Sequence, residues 1–338
     1  MHAGQSLPCG VLVLLVAVSM SSFEPLSPAL PDVASAQHPF LQPALAWVGM
    51  RGVELPILVP DAEGVAFRLP ARLDALVDLG TGGERGIHMS RLYLQVEREL
   101  AGQALCPSGL RRVLKGFLES HRELSCRARL RLRFDYLLRR PALVSGHHGW
   151  RAYPVELTAT LARGHCQFEL GFSVLYSSTC PASAALARAA IAERFAEDFA
   201  DTTAPDRSKV QEWLASPAGM AATPHAQRSR VEVLLRLLPS FDRLPIAQSI
   251  DRVEGALATA VQTAVKREDE QAFARLNASN VMFCEDAARR VHMALDQDPQ
   301  VSDFWLCATH FESLHAHDAV AVACKGVPGG YDGVSMPV

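Results

Sequence analysis

The chain predicts an α+β fold in which antiparallel sheets are covered on one face by helices, and three observations carry that expectation. Hydrophobic residues make up 49% of 338 positions, enough to bury a sizeable core and fill two domains of ordinary size. Strand-like apolar runs occur in both halves, and in each half a pair of amphipathic helical segments lies between strands. No heptad pattern, low-complexity tract or short-period repeat competes with that order.

Taken in sequence, Ala46 to Val59 and Val65 to Leu79 are apolar, β-branched runs separated by an Asp-Ala-Glu-Gly turn, which reads as a hairpin. Ser90 to Ala101 places Leu92, Val96 and Leu100 at helical spacing, and Leu110 to His121 does the same with Leu110, Leu114 and Leu118. Arg127 to Leu138 alternates Arg with Leu or Phe, the period of a half-buried strand, and Trp150 to Ala162 and Gln167 to Ser177 are again strand-like. The second half offers an Ala-rich helix from Ala182 to Phe199, a strand from Arg230 to Leu238, helices from Ile246 to Val265 and Asn280 to Leu295, and strands from Phe304 to His310 and Asp318 to Ala323. Asp201 to Ala215, rich in Asp, Thr, Pro and Ser, reads as an inserted excursion. The expected organisation is a leader over 1–36, a first unit over 37–178, a second over 179–326 with an insertion around 183–222, and a tail over 327–338.

A formal net charge of -3 gives no basic excess, which argues against a duplex nucleic acid partner; an anionic substrate must meet a local basic cluster. Eight cysteines are scattered without any CxxC, as expected of mostly reduced core thiols in a cytoplasmic protein. The apolar run Val11 to Val18 is too short to span a bilayer and has no Lys or Arg before it, so neither a secretory signal nor a membrane anchor is expected. Met20 opens a Ser/Pro-rich stretch, so residues 1–19 read as an over-long start.

Chemistry-bearing residues stand out against this frame. Cys180 precedes Pro181 and the Ala-rich helix, which puts Pro181 at the first helical position and the thiol at the N-cap, where the helix dipole and free N–H groups favour thiolate. Taken alone it reads equally as a small residue closing a strand. His225 follows Pro224 on a loop and alone is as easily a surface histidine, while Glu270 sits in the run Lys266-Arg267-Glu268-Asp269-Glu270, whose plain reading is a solvated charge cluster. Glu285 falls at the edge of the apolar stripe Val281, Cys284, Ala288, Val291 and Leu295, and an ionised carboxylate there can accept the N1–H and 2-amino pair of a guanine. His315 and His317, two apart in a strand-like stretch beside Glu312, point to one side and can flank one ligand. Thiolate, imidazole and carboxylate together are the donor set of a catalytic divalent-metal site.

Several motifs then match one family in order. Arg85-Gly86-Ile87-His88-Met89-Ser90-Arg91 resembles its G-T-H-M-S-R, S-S-T-C-P-A-S-A its C-P-C-S segment, and P-H-A-Q-R-S its H-N-Q-R-S; K-R-E-D-E and F-E-S-L-H-A-H follow. The family is the type IB GTP cyclohydrolase I, and the resemblance runs from about Asp32 to Lys325. It implies a tunnelling fold with two units in tandem, assembled as a homotetramer with active sites at subunit interfaces. It also implies hydrolysis of GTP to 7,8-dihydroneopterin triphosphate and formate, feeding folate synthesis and in some organisms queuosine-type bases. Cys180, His225 and Glu270 match its metal ligands, with water completing the shell around zinc, iron or manganese; Glu285 matches its purine anchor and His315 its proton-transfer histidine. His88, Arg91 and Arg228 are the candidates for the triphosphate, by charge and motif position. Two departures are visible: Ala182 stands where the family commonly has a second cysteine, and the gap between Cys180 and His225 is longer than in the family's shorter form. The rival readings are a nitrile-reducing relative using Cys180 as nucleophile with a nicotinamide cofactor, and a non-catalytic purine-binding relative.

Overall fold

The computed structural model describes residues 43–61, 63–80, 85–238, 241 and 243–334; the expected leader and the start at Met1 or Met20 lie outside them. Eight strands form one antiparallel sheet in chain order: β1 (Leu45–Pro60), β2 (Ala66–Leu79), β3 (Arg127–Pro141), β4 (His148–Ala162), β5 (His165–Thr179), β6 (Ala226–Leu237), β7 (Val301–His310) and β8 (Ala319–Cys324). Helices α1 (Met89–Leu100) and α2 (Pro107–Ser120) pack over the first four strands. Helices α3 (Pro181–Asp198) and α4 (Arg207–Ala215), the second within the excursion, lie between β5 and β6, and α5 (Ile246–Leu257), α6 (Arg267–Ser279) and α7 (Cys284–Asp296) follow β6. The order strand pair, helix pair, strand pair thus occurs twice, β1–β4 with α1 and α2, then β5–β8 with α5 and α7 as the packed pair. This is the α+β arrangement expected. The sheet is continuous from the first four strands to the last four, β5 being paired with β4 over His165–Phe172 and with β6 over Phe168–Thr179.

Period-two alternation decides which face is covered. On β3, Ala128, Leu130, Leu132, Phe134 and Tyr136 are buried under helices, while Arg127, Arg129, Arg131 and Arg133 occupy the opposite face. There Arg133 reaches Asp74 at 3.0 Å and Glu156 at 2.8 Å, and Arg129 lies over the Trp47 ring at 4.4 Å. Burial works against ionising Asp74, but hydrogen bonds from Arg133 and from the Gly52 N–H hold its carboxyl below the usual range.

One glycine is dictated by this sheet. Gly49 on β1 sits at φ 154, and a Cβ there would meet the Ala75 carbonyl oxygen at 2.1 Å. Gly49→Ala is therefore expected to lose at least about 1–3 kcal/mol from backbone strain, read as a lower denaturant midpoint with the first hairpin most affected in hydrogen exchange.

Four elements differ from expectation. The helix expected to reach Val265 ends at Leu257, because Ala258 turns left-handed at φ 63. The chain beyond it serves β5 instead: pairing of β4 with β5 stops at Val155 and Phe172, and the exposed upper edge of β5 is met by Thr259 and Val261, through Ser177 N–H to Thr259 O at 2.9 Å and Val261 N–H to Leu175 O at 3.2 Å. The charge run around Glu270 opens a helix, α6, whose first turn holds Glu268, Asp269 and Glu270, the charge pattern that suits a helix N-terminus. Helix α7 begins at Cys284 rather than Asn280, with Asp286 accepting the Phe283 N–H at 3.0 Å. The excursion is not irregular throughout: α4 is capped by Asp206 and lays Trp213 against Phe195 and Phe199, with ring centroids 5.3 and 6.1 Å away.

The seven described cysteines are free, but only Cys284 and Cys307 are buried, so the expectation of mostly core thiols is corrected; Cys126 is exposed. Among the described residues no helix is long and apolar enough to cross a membrane.

His121, at the end of α2, and His310, at the end of β7, are both buried, and burial depresses the pKa of each below the usual histidine value. Such a group stays neutral in the fold while its unfolded counterpart takes up a proton, so stability is complete above about pH 6.5 and falls as pH drops below it. Chemical denaturation across that window should show a shallower pH dependence for His121→Gln than for the unaltered protein.

Candidate active site

The site grows from the end of β5 and the start of β6. Register pairs Thr179 with Ala226, and the next position outward continues the ladder, Cys180 N–H donating to the His225 carbonyl at 3.2 Å. As expected, Cys180 is the N-cap of α3 with Pro181 in the first turn; its Sγ accepts the Ser183 N–H at 3.5 Å, and Ser183 Oγ accepts the His225 N–H at 3.0 Å. Thiol and imidazole are thus carried by neighbouring positions of two strands, locked by a shared serine.

Beneath them runs a buried polar train. His225 Nδ1 lies 3.2 Å from Gln227 Oε1, Gln227 Nε2 donates to Ser178 Oγ at 3.1 Å, and Ser178 Oγ and Ser229 Oγ are 2.7 Å apart. Alternation along β6 puts Gln227 and Ser229 on the covered face and turns the Arg228 side chain out on the other. Next to the train, His310 Nε2 lies 3.0 Å from the Tyr176 hydroxyl, itself fully buried.

Two further segments are drawn in by backbone hydrogen bonds. Phe311 N–H donates to Arg228 O at 3.3 Å, and the cassette that follows brings Glu312 Oε2 to 3.8 Å from His225 Nδ1. His315 and His317 lie on a bend between β7 and β8, not on a strand, yet their rings stack at 5.0 Å and 9°, so they still share one side. Met282 N–H donates to Thr179 O at 3.1 Å, which brings the start of α7 to the same end of the sheet. The stripe of that helix is Cys284, Ala287, Ala288, Val291 and Leu295. Because α7 starts at Cys284, Glu285 at its second position turns out to solvent rather than lying at the edge of the buried face. Its own backbone N–H, and then the Cys284 thiol, hold its carboxyl below the usual range.

Glu270 is exposed in the first turn of α6, next to Asp269, which is buried and accepts the Val144, Ser145 and Lys266 N–H groups at 2.8, 2.9 and 2.9 Å. Among the described residues, no three His, Cys, Asp or Glu side chains are gathered closely enough to hold a metal ion. His88, the N-cap of α1, and Arg91, whose Nη1 donates to Ser120 O at 2.9 Å, sit on the helix pair over the first four strands. Sequence reasoning gave no role to Gln227, Ser178, Ser229 or Tyr176; the alternation in Q-R-S was the available signal for the first.

The family model described as "Type I GTP cyclohydrolase folE2" matches residues 30–321. The chain belongs to that family. Among curated relatives, GTP cyclohydrolase FolE2 of Hydrogenovibrio crunogenus is 45% identical over 302 residues, covering 89% of this chain and 96% of the relative. GTP cyclohydrolase FolE2 of Pseudomonas putida is 48% identical over 294 residues, covering 87% and 95%. Among solved structures, uricase from Arthrobacter globiformis aligns with a TM-score of 0.45 at 10% identity, covering 83% of this chain and 94% of that one. Membership in the FolE2 family bears out the resemblance read from the motifs.

Proposed function

We propose that this protein is a cytoplasmic GTP cyclohydrolase I that converts GTP to 7,8-dihydroneopterin 3'-triphosphate and formate at the outset of tetrahydrofolate synthesis, as a homotetramer. Family membership over residues 30–321 carries the reading, and the pairing of Cys180 with His225 supports the place of its chemistry.

The donors at this end of the sheet fit a divalent ion of the zinc, iron or manganese kind, thiolate and imidazole being acceptable to all three. Cys180 and His225 would hold it, with Glu270 of α6 as the third ligand by its match to the family's motif, and when bound it would supply the Lewis acidity that makes water nucleophilic at neutral pH. Glu285, kept ionised by its own N–H and the Cys284 thiol, is an acceptor-only group and so suits the N1–H and 2-amino edge of guanine. Held there, guanine presents C8 for hydration; the imidazole ring opens, C8 leaves as formate, and the ribose carbons close onto the pyrimidine after an Amadori-type rearrangement. His315 moves protons in these steps, its ring orientation restrained by stacking on His317. Arg228, His88 and Arg91 meet the triphosphate charge.

The test is formation of fluorescent pterin and formate from GTP by chelator-stripped protein re-supplied separately with manganese, zinc and iron. Metal-dependent product supports the reading. Intact GTP with every metal, or nicotinamide oxidation with a nitrile substrate, overturns it.

A further inference from the structure

We infer that Gln227 is a positioning residue that fixes which nitrogen of His225 faces a metal ion, an inference that rests on the reading of His225 as a ligand. The Gln227 amide sets the direction of the bond at the His225 end of the train. Gln227 is buried and Ser178 and Ser229 have no exposed surface, so each polar atom must find its partner inside the train. Gln227 Nε2 donates to Ser178 Oγ at 3.1 Å, and Ser178 Oγ and Ser229 Oγ share a 2.7 Å hydrogen bond in which either hydroxyl can donate. The Gln227 carbonyl, Oε1, therefore faces His225 Nδ1 at 3.2 Å as an acceptor, and the imidazole satisfies it only with its proton on Nδ1. The Glu312 carboxylate, 3.8 Å from the same nitrogen, favours a proton there too. The tautomer left over carries its lone pair on Nε2, the form in which a neutral imidazole binds a metal.

Alternative roles for Gln227 are distinguishable by shape and by chemistry. If Gln227 merely fills space, methionine of similar volume should serve as well; if it acts as the Nδ1–H acceptor, glutamate should serve and methionine should not.

The experiment measures zinc dissociation constants by competition with a chelating dye, on the full-length assembled protein, for the unaltered chain, His225→Ala, Gln227→Met, Gln227→Glu and Ser178→Ala. Expected are about 10- to 100-fold weaker zinc binding for Gln227→Met and unaltered affinity for Gln227→Glu. Ser178→Ala, which removes the group that orients the amide, should also bind more weakly and decides the matter if Gln227→Met does not fold. Affinity lost in His225→Ala but retained in Gln227→Met, or in Ser178→Ala where that variant decides, overturns this inference alone, as does failure of Gln227→Glu to restore it. Zinc affinity indifferent to His225→Ala overturns the ligand reading and this inference with it.

Discussion

Cys180→Ala is expected to lose metal-dependent pterin formation by at least about 10²-fold, since removal of even an outer partner of a metal ligand costs 10- to 100-fold. The thiol caps α3, but it does so through one long contact, Ser183 N–H to Sγ at 3.5 Å, so the fold should survive its removal. The His225 N–H on Ser183 Oγ, the Cys180 N–H on the His225 carbonyl and the strand ladder still close this end of the sheet. Activity and stability should therefore separate: far-ultraviolet circular dichroism and melting close to those of the unaltered protein, with product formation abolished. A variant that retains turnover would place the nucleophilic chemistry elsewhere. The same variant bears on Ala182, where a second cysteine is common in the family; if Cys180 alone is the ligand, Ala182→Cys should change turnover little.

The second large effect is at Glu285. Two charge-assisted hydrogen bonds to a guanine edge are each worth about 1.5–3 kcal/mol, so Glu285→Gln should lower kcat/KM for GTP by about 10²- to 10⁴-fold. Selectivity is the sharper readout. Inosine triphosphate lacks the 2-amino group and should be a much poorer substrate than GTP for the unaltered enzyme, and Glu285→Gln should narrow that difference. Because Glu285 is exposed at the start of α7 and makes its contacts with its own turn, the substitution should leave the core intact. Unchanged discrimination in the variant would remove Glu285 from the purine site.

What the sequence revealed and what it hid follow from the range of the forces involved. Alternation of Arg with Leu and Phe on β3 is a local signal, because burial on one face of a strand imposes a period of two whatever lies elsewhere, and the strand is where it was expected. The early end of α5 is different. Ile246 to Val265 reads as helical throughout, but the upper edge of β5 extends past its pairing with β4 and needs backbone partners, and Thr259 to Val261 supplies them. That demand arises from strand lengths far away in sequence, so no window around residue 258 contains it. The charged run at Glu270 was ambiguous for a related reason: Glu268, Asp269 and Glu270 suit either a solvated loop or the first turn of a helix, and Asp269 commits to the helix by accepting N–H groups of the β3–β4 connection, at Val144 and Ser145, as well as that of Lys266.

The candidate site divides the same way. Cys180 at a helix N-cap was legible from Pro181, and its closeness to His225 followed only once β5 and β6 were paired across the inserted helices. His315 and His317 came to one side by ring stacking on a bend, not by strand alternation. The train beneath His225 joins β6 to β5 across the sheet, and nothing local to Gln227 announces that Ser178 lies opposite it.

The most direct measurement is X-ray absorption at the zinc edge of the purified, zinc-loaded protein beside Cys180→Ser. The account predicts one sulfur scatterer at about 2.3 Å and at least one imidazole nitrogen at about 2.0–2.1 Å, with the sulfur lost in the variant. A first shell of oxygen and nitrogen alone in the unaltered protein, or a sulfur that persists in Cys180→Ser, would contradict it.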